Sequence, residues 1–329
     1  NVSREELIKD MVTMKKNNIN AIRTCHYPDA VGIYELCDEY GIYMIAECNL
    51  ESHGSWDISA EQTGDFTGVV PCDRPEWMDM MLDRVNSMYQ RDKNHPAILI
   101  WSCGNESFGG KVIYEMSQLY RKMDPTRLVH YEGLFHDRRY NDTSDMESQM
   151  YPSVEDIKAF LAKDRSKPFI CCEYTHSMGN SNGGMSKYTD LTEEDELYQG
   201  GFIWDYVDQA IAGKDSHGKD ALFYGGDFGD RPSDYNFSGN GIVFADRSIT
   251  PKMEEVKFNY QNFSLYPEAK GVKIVNKSLF TNTDKYALKL SLLKDGQQVW
   301  EMSTSVEIAP GEEAFVDYPY PSFGAGEYA

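Results

Sequence analysis

One pattern recurs through most of this chain and restricts its fold more than any other feature. A helical stretch leads into a short apolar run, and the run ends in a polar cluster. Residues 3–18 read as a helix, because Ser3 and Glu6 form a capping box and Leu7, Ile8, Met11 and Met14 fall on one face. The apolar run over 20–25 ends in His26, Tyr27 and Pro28. A second helix over 31–40 stops at Gly41, as a C-terminal cap requires, and leads into a run over 42–46 that ends in Glu47, Asn49, Glu51 and His53. Asp73, Pro75 and Glu76 open a third helix reaching about Gln90, and the run 97–102 behind it ends in Gly104, Asn105 and Glu106. Further apolar runs stand at 128–131, 146–150, 169–172 and 201–204.

Buried strands alternating with helices, polar only at their C-terminal ends, describe a parallel sheet whose chemistry collects on one rim. A (β/α)8 barrel, the TIM-barrel form of an α/β fold, is expected, since its active sites are built from such strand ends. The competing open, doubly wound sheet would show a Gly-rich phosphate turn after a first strand, and the chain has none. The count gives seven strands. Because a helix comes first, strand one of the barrel is expected upstream of Asn1. A last helix is expected over 251–262, after which the texture changes. Segments 272–275, 286–293, 298–302 and 304–308 alternate or carry β-branched residues, and Asp295-Gly296 signals a hairpin. The expected division is a barrel over 1–263 and a β-sandwich over 264–329, the latter cut short of the roughly 100 residues such a fold needs.

The net charge of −21, from 53 acidic against 32 basic residues, sets the chain against phosphate backbones and anionic lipid, so neither nucleic acid nor membrane is an expected partner. Twenty-two tyrosines and five tryptophans bring the aromatic share to 13%, which suits the apolar faces of sugars, although most of these rings individually are expected to fill core. Seven cysteines without regular spacing, two of them adjacent at 171 and 172, are expected to be reduced, which points to a cytoplasmic location.

Two glutamates stand out by context. Glu106 follows the run Ile98-Leu99-Ile100-Trp101, and Glu173 ends Phe169-Ile170-Cys171-Cys172 ahead of Tyr174, Thr175 and His176. With the expected upstream strand counted, these are strands four and seven, which face one another across a barrel mouth. Glycoside hydrolysis needs such a pair, one acid to protonate the departing oxygen and the other to attack or to activate water. A single rim glutamate is more often merely solvated; two of them among His, Tyr and Trp favour a site.

The runs Gly104-Asn105-Glu106-Ser107, Cys172-Glu173-Tyr174-Thr175-His176-Ser177-Met178-Gly179-Asn180, Gly201-Phe202-Ile203-Trp204-Asp205 and Gly225-Gly226-Asp227-Phe228-Gly229-Asp230 together resemble the motifs of glycoside hydrolase family two. The resemblance covers about residue 4 to past 290. It implies a retaining enzyme that cleaves terminal β-D-galactosides such as lactose, with Glu106 as acid/base, Glu173 as nucleophile and carboxyl groups about 5 to 5.5 Å apart. Asn105 matches the family's ligand to the sugar 2-hydroxyl, and His26, His95, Tyr151, His176 and Trp204 match the remaining pocket residues. Tyr151 is expected to hydrogen-bond the nucleophile and keep it ionised, while Glu106 is expected to be raised by burial and a neighbouring carboxylate. By the same resemblance Glu51, His53 and Glu106 hold Mg2+, and Phe237, through its carbonyl, and Asn240 hold Na+.

The resemblance also places other domains of the enzyme outside these residues, the 264–329 region being the start of an immunoglobulin-like domain. The chain alone is therefore expected to be poorly active, with those missing domains and possible identical subunits as its partners. The alternatives are a β-glucuronidase or other family-two glycosidase, a metal-dependent hydrolase barrel with His-x-His near its first strand, and a noncatalytic interaction fragment.

Overall fold

The computed structural model describes residues 2–268, 270–317, 319 and 324–329. It divides into two compact units, Asn1–Asn259 and Tyr260–Ala329.

In the first unit the predicted alternation forms seven parallel strands: β1 (Ala21–Arg23), β2 (Tyr43–Glu47), β3 (Ile98–Ser102), β4 (Leu128–His130), β5 (Glu147–Met150), β6 (Phe169–Tyr174) and β7 (Tyr198–Ile203). The helices are α1 (Arg4–Lys16), α2 (Val31–Tyr40), α3 (Ser59–Thr63), α4 (Met78–Asp92), α5 (Lys111–Met123), α6 (Val154–Leu161), α7 (Met185–Glu194) and α8 (Lys252–Asn259). Strands β1 to β4 form one ladder in chain order and β5 to β7 another. The two meet where Asp145 N–H donates to the Val129 carbonyl at 2.8 Å and its carboxylate accepts from Val129 N–H at 2.7 Å. Strand β7 touches β1, so the strands curve into a TIM barrel.

Period-two alternation sorts the side chains. On β2, Met44 and Ala46 join Tyr34, Leu36, Val85, Met88 and Trp101 in the layer between strands and helices. Ile45 points the other way and packs with Ile100, Met146, Ile170 and Phe202 inside the barrel. Its successor on the same face is Glu47, so the interior turns polar towards the C-terminal rim.

Several local signals act as read. Ser3 and Glu6 exchange both capping-box hydrogen bonds, at 3.2 and 2.7 Å, and Gly41 ends α2 in the left-handed conformation. Asp73 does not cap the helix beside it. Its carboxylate accepts from Lys111 N–H at 2.7 Å and so starts α5 instead, while Pro75–Trp77 forms a 3-10 turn ahead of α4. A hairpin, β8 (Ile211–Lys214) and β9 (Asp220–Phe223), lies between β7 and α8.

The second unit has β10 (Phe263–Pro267), β11 (Gly271–Asn276) and β14 (Glu313–Asp317) in one antiparallel sheet, with β12 (Leu288–Lys294) and β13 (Gln297–Thr304) in another. Val272, Ile274, Leu288, Leu290, Ala314 and Val316 pack together, so the sheets face each other as a sandwich. Asp295 and Gly296 both have positive φ, 49° and 78°, as a two-residue hairpin turn demands. The strand expected over 304–308 ends at Thr304. Val306 O and Ile308 N–H are satisfied by the Thr283 hydroxyl, at 2.5 and 2.7 Å, instead of by a ladder.

Candidate active site

Several barrel strands deliver polar side chains at their C-terminal ends, and Glu47, Asn105 and Glu173 converge on Arg23. This guanidinium, fully buried at the end of β1, donates from Nε to Glu47 Oε2 at 2.8 Å and from Nη2 to Glu47 Oε1 at 3.0 Å. Nη1 reaches Glu173 Oε1 at 2.9 Å, and Nη2 also reaches Asn105 Oδ1 at 2.7 Å. One cation thus ties the end of β6 to the residue beside Glu106. Burial works against the Glu47 carboxylate, but Arg23 and His26 outweigh it and hold that group below the usual range.

Glu173 is 6% exposed, and its second oxygen accepts from the Tyr151 hydroxyl at 2.7 Å. His26 lies between Glu47, at 2.8 Å from its Nδ1, and the indole of Trp204, on which it stacks with centroids 5.1 Å apart and planes 7° apart. His176 stands 5.7 Å from the Tyr151 ring, and burial pushes its imidazole down. Beneath these, Ser102 donates to Glu47 at 2.8 Å and pairs with His130 at 2.9 Å, whose far nitrogen meets Ser148 at 2.8 Å. Burial pushes His130 down to about 3, so it is a neutral strut.

Glu106 sits more openly. Burial pushes its carboxyl up; Glu51 and Glu173 add to the effect and His53, whose Nδ1 is 3.1 Å from Oε2, opposes it. Asn105 Nδ2 donates to Glu51 at 2.7 Å. One ligand atom each from Glu51, His53 and Glu106 lies within 4.8 Å of the other two, a carboxylate and imidazole set with room for waters that fits a hard divalent cation. Elsewhere Asn240 donates through its side chain to the Phe237 carbonyl. Its amide oxygen is buried and has no hydrogen-bond partner among the described residues, which fits a small monovalent cation.

The rim thus brings together Glu106, Glu173, Asn105, His26, Tyr151, His176, Trp204, Glu51 and His53. His95 is not among them, contrary to the expectation from sequence. It precedes β3, at the opposite end of the strand from Glu106, where its Nδ1 pairs with Asp38 of α2 at 2.6 Å and its carbonyl accepts from Arg127 at 3.0 Å. Strand direction decides this: a residue ahead of a barrel strand lies on the stabilising face. Conversely, Arg23, Glu47, His130 and Glu132 belong to the site region and the sequence reading assigns them no role. The available signal was register, since Arg23 and Glu47 close short apolar runs and end up buried, where a charge needs a partner.

A parallel barrel with two rim carboxyls, one clamped by donors and the other raised by burial, defines the site of a glycosidase-type barrel. The family model for the family 2 glycosyl hydrolase TIM-barrel domain matches residues 1–265, and that for domain 4 of β-galactosidase matches 272–329. The chain is 52% identical to a β-galactosidase of Halalkalibacterium halodurans over 99% of its own length and 32% of the relative's. It is 51% identical to a β-galactosidase of Clostridium acetobutylicum, again over 99% of this chain and 36% of that one. Among solved structures, a Ruminococcus gnavus β-glucuronidase superposes with a TM-score of 0.58 at 17% identity, covering 79% of this chain and 48% of that one, a likeness of fold. The chain belongs to glycoside hydrolase family 2, and spans about a third of the length of the curated relatives it matches.

Proposed function

We propose that these residues are the catalytic barrel of a retaining β-galactosidase, with Glu173 as nucleophile and Glu106 as acid/base, completed by further domains of the same enzyme. One contrast supports the division of roles. Both Glu173 oxygens are held by donors, Arg23 and Tyr151, whereas the Glu106 carboxyl lies beside the His53 imidazole and is raised by burial. A raised carboxyl keeps the proton that a departing oxygen needs.

In the first step Glu173 attacks the anomeric carbon while Glu106 gives its proton to the glycosidic oxygen. The bond to the aglycone breaks and a galactosyl ester forms on Glu173. Glu106, now ionised, takes a proton from water, which attacks the same carbon and displaces the Glu173 carboxylate, so configuration is retained. Asn105, next to Glu106 in the chain and sharing Arg23 with Glu173, would bind the sugar 2-hydroxyl, and His26 stacked on Trp204 would supply a flat wall, with His176 near Tyr151. We further propose that Glu51, His53 and Glu106 hold Mg2+, and that Asn240 and Phe237 contribute to a Na+ site. Mg2+ there supplies fixed positive charge beside the acid/base.

Incubation of the full-length protein with an activated 2-deoxy-2-fluoro-β-galactoside, followed by peptide mass spectrometry, tests the reading. The expected result is one galactosyl adduct, on Glu173. Labelling of another residue, or labelling only by the corresponding glucuronide, would sink it.

A further inference from the structure

The turn that carries Glu106 is held from several sides at once. Gly104, Glu106 and Phe108 have φ of 144°, 34° and 62°, so alternate residues leave the extended path of β3. Gly104 is required there, since a Cβ would come within 2.7 Å of the Leu50 side chain. A non-glycine residue in the left-handed region is strained, and it persists where neighbours over-determine it. For Glu106 those neighbours are identifiable. Its N–H donates to Glu132 Oε1 at 2.7 Å, its carbonyl accepts from the Trp56 indole at 2.8 Å, and the next N–H, of Ser107, donates to the Tyr131 hydroxyl at 3.2 Å.

Glu132 is 2% exposed, lies just beyond β4 and has no part in the double displacement proposed above. A carboxyl buried this far is costly, and burial pushes it up to about 8, with Arg23 opposing. The 3-10 turn Glu132–His136 that presents it is pressed against the same segment: a Cβ on Gly133 would come within 2.7 Å of the Phe108 carbonyl. Glu132 Oε1 accepts from the backbone N–H of Glu106 and so serves the turn, not a sugar-facing group.

We propose that Glu132 is a positioning residue for the acid/base: by accepting the Glu106 N–H it fixes the left-handed turn that aims the Glu106 carboxyl at the leaving-group oxygen. This rests on the reading of Glu106 as acid/base. A misaimed acid harms a substrate in proportion to how much protonation its leaving group needs, which a general loss of folding does not do.

The test compares Glu132→Gln, Glu132→Asp and Glu132→Leu with wild type in the full-length protein, on lactose, whose leaving group needs protonation, and on 2,4-dinitrophenyl β-galactoside, whose leaving group does not. Gln retains an amide oxygen for the Glu106 N–H and is expected within about threefold of wild type on both. Leu is expected to lose about a hundredfold in kcat on lactose and little in the glycosylation rate on the dinitrophenyl substrate, with KM nearly unchanged. Asp withdraws the oxygen by one methylene and is expected to show the same selectivity in smaller measure, which keeps the test available if Leu does not fold. Equal losses on the two substrates, or Gln and Asp indistinguishable on lactose, overturn the proposal. Wild type inactive on both substrates overturns the reading of Glu106, and this proposal with it.

Discussion

The two ends of β3 carry equally suggestive residues and do opposite work. Ahead of the strand, His95 is locked to Asp38, and Arg127 donates to the carbonyls of Ile98, Lys93 and His95 and to Asp124, so these polar groups fasten helix to sheet. Behind the strand, Asn105 and Glu106 leave the ladder on a left-handed turn and face Glu51, His53 and Arg23. The strand's polarity makes the difference. In a parallel barrel all strands exit on one rim, and polar groups from different strands meet only there. The other end is where the chain enters, and there His95 and Arg127 are spent on local pairing.

The largest expected effect breaks or keeps that comparison directly. Glu173→Gln removes the proposed nucleophile and should lower kcat on a galactoside by on the order of 10⁴ or more. His95→Gln, at the base, should leave kcat within about twofold and cost about 1 kcal/mol of stability through the lost pairing. Parallel measurement of kcat and denaturant midpoint for the two variants decides it. A His95 variant that folds normally yet loses catalysis would return that residue to the site.

What the sequence made legible follows the same division. Short apolar runs with polar endings reveal strands, and their exits reveal Glu106 and Glu173, because the pattern is local. Arg23 stayed hidden for the opposite reason. It closes a three-residue strand, and its partners Glu47, Asn105 and Glu173 lie 24, 82 and 150 residues away, assembled only by closure of the ring. Glu132 and His130 are hidden likewise, as polar residues at the end of β4 whose partners, Glu106 and Ser102, lie at the end of the adjacent strand β3, some 26 to 28 residues earlier. Asp73 shows the converse error, a local capping signal spent on a distant helix. His95 was misplaced because a motif was read without its side of the strand.

A middling effect sharpens the comparison at the rim. If Glu51, His53 and Glu106 hold Mg2+, chelation followed by Mg2+ readdition should lower and restore kcat by about ten- to a hundredfold. Glu51→Gln should weaken the Mg2+ concentration dependence while Asp38→Asn at the base leaves it unmoved. Exchanging Na+ for a bulky quaternary ammonium ion should raise KM in wild type and less so in Asn240→Ala. Activity indifferent to both ions removes the metal proposals and leaves the two-glutamate reading standing.

The smallest effect concerns stability at acid pH, where the buried polar interior behind the rim should be the weak point. His130 is held down to about 3, against about 6.5 in an unfolded chain. Above pH 6.5 the imidazole is neutral in both states and contributes nothing. As pH falls below 6.5 the unfolded chain takes up a proton that the folded one refuses, so stability falls by about 1.4 kcal/mol per unit until the folded group protonates near pH 3. Between pH 7 and pH 5 the loss from this residue is about 2 kcal/mol. His130→Gln keeps a donor and an acceptor for Ser102 and Ser148 and removes the titration. Denaturant midpoints at pH 7 and 5 should therefore show the variant losing less than wild type by roughly that amount. Equal acid sensitivity in the two would mean that water reaches His130 and that the interior below the rim is not dry.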